Sequence, residues 1–224
     1  MKTIYYDYSI GEFIPKNRNS LPEDYFLPPE KYLKDINHEY LHSKCPAWKY
    51  YYKNTFTIYQ QFPLKIKNDG QILANLEDPV AFDRYFDMKG APNEFQMLNI
   101  YMFWTDDKDV WIEQTHHPEL TRKGLDLVCA SFPLSVWSRP ISIGVVMNTD
   151  HVTLDRGDPL CNVRFTSKGD HDTSYKLVKK EYPQHLDKKT MRDLELQHWQ
   201  WGESWNLIKR RLGREESKCP FKFK

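Results

Sequence analysis

The chain has little of what usually gives a function away. No run approaches the roughly 20 consecutive apolar residues that a bilayer-crossing helix needs, which argues against a spanning segment. The opening stretch MKTIYYDYSIGEFIPKN lacks the continuous apolar centre of a secretory signal. Cys45, Cys129, Cys161 and Cys219 lie far apart and form no CxxC pair, so neither a zinc ribbon nor a thioredoxin-type redox pair is supported. No nucleophile elbow, P-loop, HExxH motif or Rossmann glycine pattern occurs. Charge bias is missing too: 32 Lys and Arg face 31 Asp and Glu, for a formal net charge of +1. That balance argues against nucleic acid as the main partner while leaving room for a local patch. Together these absences point to a protein of a reducing cytoplasm with no membrane partner and ordinary thiols.

Aromatic side chains are plentiful, with 12 Phe, 14 Tyr and 7 Trp in a chain that is 40% hydrophobic. A chain of 224 residues with that content can bury a core, which excludes general disorder. Its organisation reads as an N-terminal arm over 1–50, a β-rich centre over 51–183, and a C-terminal helix and tail over 184–224. Pro15, Pro22, Pro28 and Pro29 punctuate the arm, which predicts an extended segment with at most a short helix from Pro29 to Leu33. Tyr5, Tyr6, Tyr8, Phe13, Tyr25 and Phe26 would dock it on the core, or present it to a partner.

Strand signals recur from Thr55 onward. TFTIYQ (Thr55 to Gln60) alternates polar and apolar residues, the turn Asn68-Asp69-Gly70 follows, and QILANL (Gln71 to Leu76) is a candidate partner strand. Asp78 and Pro79 suggest a short helix up to Met88. MLNIYMFWT (Met97 to Thr105) and VWIEQT (Val110 to Thr115) flank Asp106-Asp107-Lys108-Asp109 and predict a hairpin. Further strands are expected at Leu125 to Ala130, Ile141 to Met147, Val152 to Leu154 and Leu160 to Phe165. Near the end the period changes: Met191, Leu194, His198, Trp201, Trp205, Ile208 and Leu212 advance by threes and fours, which places them on one helical stripe. Asp187 caps the start of this predicted helix, Gly213 ends it, and His198 is expected as a hydrogen-bonded core residue. The fold class read from these patterns is α+β and mainly antiparallel β, a sandwich, jelly-roll or β-clip-like barrel with one long C-terminal amphipathic helix.

The piece VTLDRGDPLCNVRF resembles the strand-turn-strand near the end of dUTPase-type β-barrels, where a Gly-Asp step precedes an apolar strand. The Ser-Gly-Leu phosphate loop and the Gly-rich tail of that family are missing, so the likeness implies a barrel shape and not nucleotide hydrolysis. From the residues themselves, Gly157 supplies a positive φ and Asp158-Pro159 fixes the turn. A broader likeness rests on KCPAWKYYYKNTFTI (Lys44 to Ile58), VWSRP (Val136 to Pro140) and RGDPLCNVRFTS (Arg156 to Ser167). In that order they resemble a protein family, without established activity, of tailed phages of marine bacteria and some of their hosts. The resemblance implies a phage-encoded accessory or virion-associated product, in the cytoplasm of the infected host cell or in the virion.

Candidate ligand- or partner-binding residues are Trp137, Arg139 and Asp158. An Arg beside a Trp offers a bidentate clamp for a carboxylate or phosphate next to a stacking face, though the pair equally serves as a core plug and strand cap. EQTHHPE holds the densest set of metal-ligand types, with Glu113, His116, His117 and Glu119. On a strand, however, neighbouring His116 and His117 point to opposite faces, and Pro118 favours a loop. His151 with Asp155, and His171 with Asp172, are fragments of an iron-oxygenase pattern only. Cys45 reads as a structural thiol. The leading expectation is therefore contact with a host or virion protein, without catalysis or cofactor, and compatible with a homo-oligomer. The alternatives are an iron or zinc enzyme on a jelly-roll, using Glu113, His116 and His117, and a nucleotide- or glycan-binding β-barrel using Trp137 and Arg139.

Overall fold

The computed structural model describes residues 1–8, 33–35, 44–60, 63–68, 72–75, 86–87, 93–98, 101–134, 142–167 and 172–181. Their elements begin with β1 (Lys2–Tyr8), β2 (Leu33–Asp35), helix α1 (Pro46–Tyr51), β3 (Thr55–Tyr59), β4 (Leu64–Asn68), β5 (Ile72–Asn75), β6 (Phe86–Asp87), β7 (Glu94–Leu98) and β8 (Tyr101–Trp104). They continue with β9 (Val110–Thr115), helix α2 (Pro118–Arg122), β10 (Leu125–Leu127), β11 (Ala130–Pro133), β12 (Ser142–Met147), β13 (His151–Leu154), β14 (Pro159–Ser167) and β15 (Tyr175–Lys179). Most pairings are antiparallel, and the two described helices are short. The expected helix from Asp187 to Leu212, with His198, lies outside the described residues, as do Trp137 and Arg139.

Four sheets carry the strands, in the orders β15-β1-β8, β10-β12-β7-β6, β11-β9-β14-β3-β2 and β13-β4-β5. They share one core. Ile4 and Tyr6 of β1, Ile58 of β3, Leu64 and Ile66 of β4, Phe95 of β7, Phe103 of β8, Ile112 of β9, Val145 of β12, Val152 of β13, Phe165 of β14 and Tyr175 of β15 all belong to a single buried cluster. Burial of the apolar area of these strands is what holds the layers together. β9 shows the simplest case, with Val110, Ile112 and Gln114 buried and their neighbours half-buried, as the two-residue period of a strand requires.

Several sequence expectations need correction. Met97 to Thr105 is not one strand and makes no hairpin with Val110 to Thr115. Met97 belongs to β7, which pairs with β12 and β6, whereas β8 pairs with β1 and β9 with β14 and β11. Asp106 to Asp109 therefore carries the chain from one sheet to another, with Asp109 at φ 61. The cause lies in burial: all residues of β8 are buried, so both of its faces are covered, and its place is beside β1 inside the layers. Trp104 stands opposite Tyr5, ring centroids 5.9 Å apart.

Residues 2–8 do not drape over the surface as an arm. β1 is the central strand of its sheet, antiparallel to β8 and parallel to β15, with Ile4 and Tyr6 in the core. Leu33 lies in the edge strand β2 and not in a helix, and Phe86 and Asp87 form a short strand where a helix was expected. The turn expected around Asp69-Gly70 lies outside the described residues; on either side of it β4 and β5 pair antiparallel, with Asn68 opposite Ile72, so the partner of β5 is β4 and not the strand from Thr55.

Candidate functional site

The sequence EQTHHPE spans the end of β9 and the start of α2. Glu113 sits across from Arg164 on β14 and receives its guanidinium, with Nε to Oε2 at 2.8 Å; Thr166 Oγ1 reaches the other carboxylate oxygen at 3.4 Å. His117 is the residue before α2, where the chain is still extended at φ -107 and ψ 129. Pro118 at the first helical position lacks an N–H, so the cap must serve the next donors. The Nδ1 of His117 accepts from the Glu119 N–H at 3.2 Å. An imidazole thus does the work usually done by Ser, Thr, Asp or Asn. We expect His117→Ala to cost about 1–2 kcal/mol, because it removes the cap acceptor and a buried ring together. Urea unfolding would check this; an unchanged midpoint would show that the cap contributes nothing.

His116 turns the other way. Its Nε2 lies 2.5 Å from Thr121 Oγ1, which donates to Asp126 Oδ1 at 2.9 Å, while Asn148 Nδ2 donates to Asp126 Oδ2 at 2.7 Å. The Asn148 and Thr121 hydrogen bonds, with the nearby His116, hold the Asp126 carboxyl below its ordinary range. Asn162, fully buried on β14, donates to the His116 carbonyl at 3.1 Å and accepts from Thr57 Oγ1 at 3.1 Å. The structure therefore does not bring Glu113, His116 and His117 together. Among the described residues no three His, Cys, Asp or Glu side chains are grouped to hold a metal ion. His151 opens β13 and Asp155 follows its end, a separation of about 13 Å along an extended strand.

The Gly-Asp-Pro turn links β13 and β14, which belong to different sheets. Gly157 has φ 92, and the Asp158 N–H donates to the Asp155 carbonyl at 3.1 Å, so a positive φ is needed at the third turn position. Asp158 Oδ2 accepts from the Asp155 N–H at 2.6 Å and pairs with Lys123 Nζ at 2.8 Å, the contact that does most to raise the Lys123 pKa. Gln60 exchanges backbone hydrogen bonds with this turn at 2.7 and 2.8 Å. Asp158 here closes its own turn and ties it to the end of α2.

Sequence reasoning passed over α1. Cys45 precedes it, Pro46 opens it, and no residue of it is buried, although it carries Trp48, Tyr50 and Tyr51. Cys45 is exposed and makes no side-chain capping bond. Cys161 is the contrasting case: burial, aided by nearby Cys129, pushes its thiol up to about 12 and keeps it protonated. The helix is fixed from its C-terminal end. Arg164 Nη1 donates to the Tyr51 carbonyl at 3.3 Å, and its guanidinium lies over the Tyr51 ring at 5.1 Å. Asn54, at φ 64, donates to the Thr173 carbonyl at 2.8 Å and accepts from the Tyr175 N–H at 2.9 Å. Trp48 leans on Tyr52 one turn later, centroids 4.5 Å apart, and burial raises the Tyr52 hydroxyl above its ordinary pKa. Tyr50 and Tyr51 remain 58% and 56% exposed. The signal was in KCPAWKYYYK: a Pro start, adjacent rings, and no apolar stripe that a core could take up.

No protein-family model and no curated protein matches this chain. Among solved structures, it is similar to the native EIAV dUTPase at 8% identity and a TM-score of 0.35, over 58% of this chain and 87% of that one. A likeness at that level carries no inference about chemistry.

Proposed function

We propose that this protein works by contact with another protein and not by catalysis, as a phage accessory or virion-associated product, on a sandwich or barrel scaffold finished by the helix expected from Asp187 to Leu212. The observation that carries the reading is α1, a helix that buries none of its residues while carrying three aromatic side chains. Isolated exposed rings are ordinary, but neighbouring ones on a pinned element form a patch of the kind that interfaces use. Tyr and Trp are the commonest anchors of binding energy because they bring large area at small entropic cost. Pinning through Arg164 and Asn54 reduces what would be lost on ordering the helix at an interface. A second support is that Glu113, His116, His117 and Asp158 are all engaged by partners within the fold.

The test is a pull-down with the purified chain from phage-infected host cells, comparing the native protein with Tyr50→Ala/Tyr51→Ala. Tyr50 is more than half exposed, while Tyr51 gives up its contacts with Arg164 and Tyr52, so the double variant is expected to cost about 1–2 kcal/mol, too little to unfold a domain. Recovery of the bound partner should fall at least roughly tenfold, since a central aromatic anchor is worth about 2 kcal/mol or more. A partner recovered equally by both proteins would remove α1 from the interface and the main support of this reading.

A further inference from the structure

We propose that the partner surface docking on α1 is acidic: a protein segment carrying carboxylates interspersed with apolar residues. The inference rests on the contact reading above and names the chemistry of its partner. From Lys44 to Lys53 the sequence KCPAWKYYYK holds three lysines and no acid. Lys44, ahead of the helix, and Lys49, next to Tyr50 in sequence, are exposed, as are Tyr50 and Tyr51, while the guanidinium of Arg164 is taken up by Glu113. The patch therefore joins aromatic area to positive charge on a chain whose overall charge is close to zero, and the asymmetry is local.

Ring geometry selects protein over a single-stranded nucleic acid, the other polyanion that aromatic and basic residues attract. Bases stack on open, parallel faces. Here Tyr51 meets Tyr52 edge-on, at 78° and 5.0 Å, and its face lies under the Arg164 guanidinium. Trp48 is tilted 36° on Tyr52. What is left exposed on this element is the pair Tyr50 and Tyr51, with the exposed Lys49 adjoining them in sequence and the exposed Lys44 just ahead of the helix. Such a surface suits side chains that wrap around the rings, with carboxylates answering the lysines.

A fluorescein-labelled random copolymer of glutamate and tyrosine serves as the probe, with fluorescence anisotropy of the full chain as the readout. Saturable binding is expected, weakening as salt rises from about 20 to about 200 mM because the screening length shortens. Lys44→Glu/Lys49→Glu and Tyr50→Ala/Tyr51→Ala should each weaken it at least roughly tenfold. Lys65→Glu/Lys67→Glu, a matched charge reversal on the exposed side of β4, should leave it unchanged. No binding, equal loss in the β4 variant, or tighter binding of an oligo(dT) strand through the α1 residues would each overturn the proposal. The two readings fail separately. A cellular partner lost with Tyr50→Ala/Tyr51→Ala but kept by Lys44→Glu/Lys49→Glu sinks the acidic partner alone, whereas one kept by both sinks the contact reading. A cooperative unfolding transition in every variant establishes that the fold is intact.

Discussion

Phe165→Ala is expected to destabilise the protein by about 3–5 kcal/mol, a large part of the roughly 5–15 kcal/mol that a domain has in total. Phe165 on β14 is fully buried, and four rings meet there: it stands 5.5 Å from Phe103 on β8, 6.1 Å from Phe56 on β3 and 6.3 Å from Tyr175 on β15. These neighbours come from two sheets, so truncation opens a void at their junction, where neither sheet can close it without moving the other. Phe165→Leu keeps most of the volume and should cost no more than about 1.5 kcal/mol. Urea unfolding of the pair reads the difference. Equal small losses for both would mean that the sheets do not pack through this residue.

Gly124→Ala should cost about 2–4 kcal/mol, and the reason can be taken apart. Gly124 follows Lys123, the C-cap of α2, at φ 88, the left-handed conformation that ends many helices. A Cβ there would lie 2.3 Å from Thr149 Oγ1 and 3.0 Å from its Cγ2. Thr149 cannot simply turn aside, because its hydroxyl donates to the His151 carbonyl at 2.9 Å. Gly157 has nearly the same φ, at 92, with nothing within 4 Å of a Cβ, so Gly157→Ala should show the backbone cost alone, about 1–2 kcal/mol. In a Thr149→Ala background only the Thr149 Cβ, 3.2 Å away, remains in the way, so the cost of Gly124→Ala should fall most of the way to that of Gly157→Ala. If it stays high, the steric account is wrong.

What the sequence made legible was mostly local. β3, β12, β13 and β14 lie where alternating or continuous apolar runs placed them, because burial of one face writes a two-residue period into the residues themselves. Turn chemistry was legible at Gly157, where a positive φ admits few residues. Partner choice was not. β8 and β9 flank a polar tetrapeptide just as hairpin strands do, and only burial of Met102 and Trp104, which no local pattern records, sends them to different sheets. β1 was missed because an aromatic-rich strand between charged residues looks like an arm until its pairing with β15 is known. In the candidate site, residue types were read correctly and their duties were not: Glu113 serves Arg164, and His117 serves a helix start. α1 escaped because the reading looked for faces a core would bury, and this helix has none.

The parallel ladder between β1 and β15 fixes a schedule for synthesis. Lys2 to Tyr6 leave the ribosome well before Tyr175 to Lys179, so one flank of that strand waits for its partner to be made. Until then its unpaired N–H and C=O groups are a template for any passing strand. The nascent chain is therefore at its most vulnerable from the emergence of β1 until that of β15, and sheltering that one edge, more than strengthening the finished core, would govern the yield of native protein.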